Sequence, residues 1–370
     1  MSESGLRHSP LHERHQVLGA KMADFGGWSM PIEYAGAGVL AEHKAVREGV
    51  GIFDVSHLGK ATVAGPGAKD FVNSVLTNDL DRIAPGAAQY TLCCDEQTGG
   101  VVDDLIAYLV SDDEVFLVPN AANTAEVVRR MAEVLPDGLR LSDQHEQFGV
   151  IAVQGPSSAE LLQRLGLPTG HDYMAFERAS YDGIELTVCR TGYTGEHGYE
   201  LVAPWEHTVV LWDALLEKGH DLGAAACGLG SRDTLRTEMG YPLHGQDLSL
   251  QITPNQARAG WAVGWKKPRF WGRERLLAER EAKPQRVLWG LLSTDRGIPR
   301  PGMQVKDADG RIVGELTSGT FSPTLRKGIG LALITRESGL GEDDEVQVDV
   351  RGRTSTMTIV KPPFVASHVR

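Results

Sequence analysis

The sequence predicts an α+β protein of two or three domains, closed at its C-terminal end by an all-β domain. Three observations carry this prediction. The chain has 370 residues, too many for one small domain. Helical and strand-like periods mix along its first two-thirds, and after about Gln285 only short apolar runs remain, separated by Gly, Pro and Asp. The hydrophobic fraction of 41% and charged fraction of 23% are those of a chain with a large core that needs no disulfide or metal staple.

The elements follow in order. Val115-Phe116-Leu117-Val118 reads as a strand running into Pro119-Asn120-Ala121-Ala122. Asn123 or Thr124 then starts a helix through Val127, Val128, Met131 and Val134, which Pro136-Asp137-Gly138 ends. From Ala175 to Val202 the pattern is strand-like, with Tyr181-Asp182-Gly183-Ile184 as a hairpin turn before the alternating Glu185–Cys189. A helix is expected from Glu206 to Lys218 with Val209, Val210, Trp212, Leu215 and Leu216 on its apolar side and Gly219 as its stop. Pro284 marks a linker, after which Val287–Leu292, Gly302–Val305, Ile312–Leu316 and Val346–Val350 are strands of a barrel or sandwich, with Asp309-Gly310 as a hairpin signal.

The charge balance, 37 Lys and Arg against 49 Asp and Glu for a net −12, argues against a nucleic-acid or membrane-surface partner. No apolar run reaches the ~20 residues that span a bilayer, and the polar Met1–Arg14 is no signal peptide, so a cytoplasmic location is expected. Cys93, Cys94, Cys189 and Cys227 have no metal or redox spacing and read as buried thiols.

Three stretches carry the residue types of a reactive site. Gly99-Gly100-Val101-Val102-Asp103-Asp104 leads from a glycine turn into two adjacent carboxylates. Neighbours on a strand face opposite ways, so the two Asp cannot do the same job; a solvated turn is the competing reading. The Arg190–Glu200 stretch, with Gly192, Gly195 and Gly198, suits either a plain hairpin or a loop close to a planar ligand. A Glu there can accept paired hydrogen bonds from an amidine-like edge. In Cys227–Arg236, Ser231 is placed to cap a helix, so that its N-terminus and Arg232 favour an anion, unless Arg232 simply pairs with Asp233 or Glu238.

Two weaker signals remain. Gly36-Ala37-Gly38-Val39-Leu40-Ala41 fits the loose dinucleotide fingerprint, but without a proper leading strand it is rejected. Trp265–Arg273 interleaves basic and aromatic residues and reads as a patch for a carboxylate-rich ligand or partner, or as a solvated loop.

Taken in order, these stretches resemble the glycine cleavage system T protein, the aminomethyltransferase family. The resemblance runs through Leu11-His12, Gly19–Pro31, Gly51–His57, Thr77-Asn78-Asp79, the Gly-Gly-x-x-Asp-Asp segment, Gln154-Gly155-Pro156 and Gly192–Glu200. It continues through Gly228–Arg236, Gly245-Gln246-Asp247, Thr317-Ser318-Gly319 and Phe321-Ser322-Pro323. It implies a three-domain cloverleaf around a central folate cavity. Residues 1–55 plus 145–245 would form an interleaved folate-binding domain 1, 56–144 plus 246–283 an α+β domain 2, and 284–370 a C-terminal β-barrel domain 3.

The resemblance also implies the activity: transfer of the methylene carbon from the aminomethyl-lipoyl H protein to tetrahydrofolate, releasing ammonia and giving methylenetetrahydrofolate. Tetrahydrofolate would be the acceptor co-substrate, lipoylated H protein a transient partner, and no metal is called for. By the same matching Asp104 takes the catalytic position, Glu200 the pterin edge and Arg232 the folate-contacting arginine. Asn120 faces the ligand, though the family often has Val where this chain has Pro119, and Tyr90, Tyr193 and Tyr241 surround the folate. Non-catalytic folate-binding relatives that assist iron–sulfur proteins carry a Lys-Gly-Cys-Tyr-x-Gly-Gln-Glu motif, which is absent here. Relatives fused to oxidases of methylated glycines need a flavin domain for which 370 residues leave no room, and a pure interaction protein would lack folate-dependent ammonia release.

Overall fold

The structure is a computed structural model that describes residues 5–350 and 352–370. The expected α+β architecture is present as four sheets with helices between them. A six-stranded sheet orders its strands as Phe176–Tyr181, Ile184–Cys189, Gly198–Pro204, Phe148–Gln154, Val50–Asp54 and Ala224–Cys227. A five-stranded sheet runs Ala87–Cys94, Val101–Ser111, Glu114–Val118, Ala61–Ala64 and Arg140–Asp143. All of the second sheet therefore lies, in sequence, between two strands of the first. A small sheet of Arg7–His8, Trp28–Tyr34 and Ala20–Phe25 precedes both.

The C-terminal strands close into a barrel of six, Arg286–Ser293, Lys327–Thr335, Ile312–Ser322, Gln304–Lys306, Glu345–Val350 and Arg353–Val360. Closure removes the exposed edges that an open sheet of this size would present. Its interior is Leu291, Val305, Leu316, Ala332, Val348, Met357 and Ile359. The strands Lys327–Thr335 and Arg353–Val360 had no separate signal. The first is buried along nearly its whole length, and the second places Thr356 and Thr358 between its inward Ser355, Met357 and Ile359.

Local chemistry accounts for most elements. Asp182 and Gly183 both have positive φ, 50° and 77°, and join paired Tyr181 and Ile184, the two-residue hairpin expected. The helix Thr208–Lys218 buries Leu211, Trp212 and Leu215, whereas Val210 is exposed. Gly219 does end that helix, but with φ −93°; it is glycine because a Cβ there would sit 2.5 Å from that of Ala224. The helix Thr124–Glu133 starts at Asn123 as expected, yet the Asn123 side chain gives no cap and is used elsewhere.

Three expectations need correction. A strand, Trp28–Tyr34, does lead into Gly36–Gly38, but the next strand, Val50–Asp54, belongs to another sheet, so no βαβ unit forms and the dinucleotide site stays rejected. Ser231 is not the cap of Leu229–Met239: its hydroxyl donates to Gly228 O, and the N-terminal N–H of Gly228 donates to buried Glu42 at 2.9 Å. That helix end is thus neutralised by the chain's own carboxylate. In the Trp265–Arg273 stretch, Lys267 is buried and donates to the carbonyls of Leu76 and Asn78, and Trp271 lies in the core of the five-stranded sheet. Lys267 and Trp271 thus clamp the fold, while Lys266 and Arg269 of the same stretch are exposed. All four cysteines are free and buried, as expected.

Candidate active site

Between the six- and five-stranded sheets lies a cavity of about 190 Å³. All seven residues singled out from the sequence, Tyr90, Asp104, Asn120, Tyr193, Glu200, Arg232 and Tyr241, line it. They come from both sheets, from the helix Leu229–Met239 and from the segment after it. The barrel packs behind that helix, where buried Arg236 meets Asp247 at 2.8 Å and Ser318 at 2.9 Å.

The two acids separate as strand alternation requires. Asp103 is fully buried and Asp104 half-buried on the cavity face, with Ile106 and Tyr108 of the same strand. The glycine turn ahead of them is forced by contact: a Cβ on Gly100 would fall 1.9 Å from Leu250 O. Pairing of this strand with Glu114–Val118 ends at Ile106 opposite Val118. Beyond it Pro119 has no N–H, and Asn120 completes the hydrogen bonding that the ladder would have supplied. Its backbone N donates to Asp103 Oδ2 at 2.9 Å, while its Nδ2 lies 2.9 Å from Asp103 Oδ1, 2.8 Å from Asp104 O and 2.9 Å from Asp104 Oδ1. One amide thus bridges both carboxylates. Asn123 adds a hydrogen bond to Asp103 Oδ1 at 2.7 Å, and its Nδ2 also meets His244 Nδ1 at 2.9 Å.

Tyr90 donates its hydroxyl to Asp104 Oδ2 at 3.0 Å, and its ring stacks on exposed Trp261 at 5.2 Å. Burial raises the Tyr90 hydroxyl far above its usual range, aided by the Asp104 charge, so Tyr90 remains a donor. Burial likewise raises Asp104, against His244 and the hydrogen bonds from Tyr90 and Asn120. Asp103 is pushed up to about 8 by burial and by its neighbour's charge, against three N–H donors. Two carboxylates sharing one amide in a dry site resist being charged together.

The glycine-rich loop is shaped by Gln154. A Cβ on Gly192 or Gly198 would fall 2.1 Å or 2.5 Å from its side chain, which donates to Thr191 O and Tyr199 O. Glu200, on Gly198–Pro204, accepts from Thr191 Oγ1 on Oε2, and its Oε1 has no partner among the described residues. Burial raises the Glu200 carboxyl, opposed by Thr191 and Arg232. Arg232 forms no ion pair with Asp233 or Glu238; Asp233 instead pairs with Arg236. The Arg232 guanidinium lies over the Tyr193 ring at 4.3 Å and makes no hydrogen bond among the described residues. Tyr193 donates to Pro242 O and packs against Tyr241 at 5.6 Å. The cavity thus presents an unsatisfied carboxylate oxygen, an unpaired guanidinium and aromatic walls around a proton-seeking acid.

The structure adds Tyr108, Thr191, His244 and Trp261 to the lining. Alternation from Asp104 reaches Tyr108, and Thr191 sits inside the loop singled out. His244 and Trp261 had no signal, since they arrive from segments remote in sequence. Among the described residues no group of His, Cys, Asp or Glu is arranged to hold a metal ion, and no helix is long and apolar enough to cross a membrane.

A mixed two-sheet body with a closed C-terminal barrel is the architecture of glycine cleavage T proteins. The GCVT N-terminal domain model matches residues 11–267, and the glycine cleavage T-protein C-terminal barrel domain matches residues 286–366. A protein of Parafrankia sp. named aminomethyltransferase is 68% identical over 99% of both chains, and one of Mycobacterium tuberculosis with the same name is 60% identical over 99% of this chain and 98% of its own. The crystal structure of glycine cleavage system aminomethyltransferase T from Bartonella henselae superposes with a TM-score of 0.91 at 31% identity, over 98% of this chain and 99% of that one. The chain belongs to the aminomethyltransferase family of glycine cleavage T proteins, and the resemblance drawn from the order of its motifs is borne out.

Proposed function

We propose that this chain transfers the methylene carbon of an aminomethyl-lipoyl H protein to tetrahydrofolate, releasing ammonia and leaving methylenetetrahydrofolate and a reduced lipoyl arm. The observation that carries the reading is the convergence of Asp104, Glu200 and Arg232 on one cavity, each with its own electrostatic task. Glu200 Oε1 is a free acceptor for the amidine-like edge of the pterin. Arg232, held flat by Tyr193, meets the anionic part of the folate. Tyr90, Tyr193 and Tyr241 supply ring faces, since the hydroxyls of the first two are already committed.

Asp104 has the properties the reaction needs at its centre. In the transfer the folate N5 bonds the methylene as its carbon–nitrogen bond to ammonia breaks; N10 then bonds the same carbon as the carbon–sulfur bond to the lipoyl arm breaks and gives its proton to the thiolate, while N5 loses the proton that leaves with ammonia. A carboxylate lifted by burial accepts that proton more readily than an ordinary one and opposes positive charge on the carbon–nitrogen unit. Asp103 stays behind it as a structural anchor for Asn120. Tetrahydrofolate is a co-substrate in this scheme, the lipoyl carrier a transient partner, and the reaction requires no metal.

The division of the chain that fits this reading is 1–55 plus 145–245, 56–144 plus 246–283, and 284–370. It is supported by the insertion of the five-stranded sheet between strands of the six-stranded one and by Trp271 in the core of the former.

The test is ammonia release from aminomethylated H protein with and without tetrahydrofolate. Strict dependence of release on folate, and loss of folate binding in Glu200→Ala, are expected. Folate binding without any release would instead select the non-catalytic folate-binding reading.

A further inference from the structure

Glu200 is held by a directional hydrogen-bond chain that begins on the opposite sheet. Thr191 Oγ1 lies 2.5 Å from Glu200 Oε2 and 3.3 Å from the Tyr108 hydroxyl. A threonine hydroxyl has one proton, and the short contact to a carboxylate oxygen is where it goes. Thr191 has no proton left for the longer contact, so there Tyr108 acts as the donor, with the buried Cys189 thiol as the other group its hydroxyl meets. Tyr108 belongs to the strand that carries Asp104, Val101–Ser111, while Thr191 and Glu200 belong to the six-stranded sheet's side of the cavity. Both Tyr108 and Thr191 are 3% exposed, so no water competes easily for these bonds.

The anchoring is firm at each end. The Tyr108 ring meets Phe176 edge-on at 5.4 Å and Phe116 at 5.9 Å. The Thr191 backbone is fixed by Gln154, which donates to its carbonyl at 3.1 Å. Glu200 therefore reaches the cavity with one oxygen tied and the other unpartnered.

We propose that Thr191 is a positioning residue for folate recognition: its hydroxyl, oriented by Tyr108, keeps Glu200 a charged acceptor in one rotamer, with Oε1 reserved for the ligand. The proposal rests on the folate reading above. It predicts an effect on substrate capture, not on the chemical step at Asp104.

The experiment compares Thr191→Val, which removes the hydroxyl at constant shape, with Thr191→Ser, which keeps it. Each is made alone and in a Glu200→Gln background, and folate KM, kcat and thermal unfolding are measured on the full chain. Thr191→Val is expected to raise the folate KM about tenfold, the loss of one hydrogen bond to a charged group, with kcat at saturating folate changed less than about twofold. Thr191→Ser should bring KM back to within about threefold of wild type, and in Glu200→Gln the penalty of Thr191→Val should fall below about twofold, because the coupling runs through that charge. An unchanged KM in Thr191→Val, equal losses in Val and Ser, or an undiminished penalty in Glu200→Gln would each overturn the proposal. Should Thr191→Val fail to fold, Tyr108→Phe reads the same chain from its far end. It should give about a twofold to threefold rise in KM that vanishes in Glu200→Gln, as suits a longer, neutral hydrogen bond, and a rise persisting there overturns the proposal. Failure of the folate reading itself looks different: the wild-type chain would then release no ammonia on addition of tetrahydrofolate.

Discussion

Asn120 is the most informative single perturbation of the acid pair, because one side-chain amide serves both carboxylates. In Asn120→Ala the backbone donation to Asp103 Oδ2 survives, and so do Asn123 on Asp103 and Tyr90 on Asp104. What disappears is the Nδ2 contact to Asp103 Oδ1, Asp104 O and Asp104 Oδ1. A hydrogen bond to a charged group contributes about 1.5–3 kcal/mol, so a roughly tenfold to hundredfold fall in kcat is expected if it holds Asp104 charged and aimed. The Asn120 bond is one of those opposing the upward shift that burial imposes on Asp104. Its removal must lift the Asp104 carboxyl further, and a rate that needs the carboxylate must lose its acid limb at higher pH. The assay is kcat for folate-dependent ammonia release across pH with both substrates saturating. A limb that stays in place, with kcat within about threefold of wild type, would refute the assignment of Asn120 as the clamp on Asp104.

Two further outcomes follow from buried charges outside the cavity. Lys60 is fully buried with Ser56 O as its acceptor, and burial lowers its ammonium to about 7. The unfolded chain then holds more protons than the folded one between about pH 7 and the ordinary lysine value, so wild-type stability should rise with pH across that window, by about 1.4 kcal/mol per unit of pKa gap. Lys60→Met should be more stable than wild type at pH 7, with the difference shrinking toward pH 10 in denaturant melts; parallel curves would contradict this. Asp247 accepts from Arg236, Ser318, Leu243 N and Thr317 at the seam between helix and barrel. Asp247→Ala leaves the buried Arg236 guanidinium with the half-exposed Asp233 as its one carboxylate among the described residues, beside neutral acceptors such as Ser318, and a loss of about 3–5 kcal/mol in urea unfolding is expected; a loss under about 1 kcal/mol would show the seam to be wet.

How much of this was legible in the sequence depended on the range of the interaction. The Asp182-Gly183 hairpin and the terminal barrel were legible because turn chemistry and period-2 alternation act over a few residues. Alternation also separated Asp103 from Asp104, although it could not say which one faced the cavity; the order of family motifs made that choice. The bridging amide was not legible as such, since it depends on where the ladder with Glu114–Val118 stops and on Pro119 having no N–H. Ser231 looked like a cap because the residue type was right, while the structure fills that helix end with Glu42 from a distant helix. Lys267 looked like surface charge because nothing local shows that the carbonyls of Leu76 and Asn78 wait for it. His244 and Trp261 reach the cavity through tertiary packing, which leaves no periodic trace.

The central claim is that the Asp104 carboxylate does the chemistry while Glu200 and Arg232 hold the folate. Single-turnover ammonia release by Asp104→Asn, measured beside its tetrahydrofolate affinity, tests it most directly. The rate should fall by roughly 10²–10⁴, the span of a lost general base, while the folate Kd stays within a few-fold of wild type. Release at the wild-type rate, or a loss explained wholly by weaker folate binding, would contradict the account.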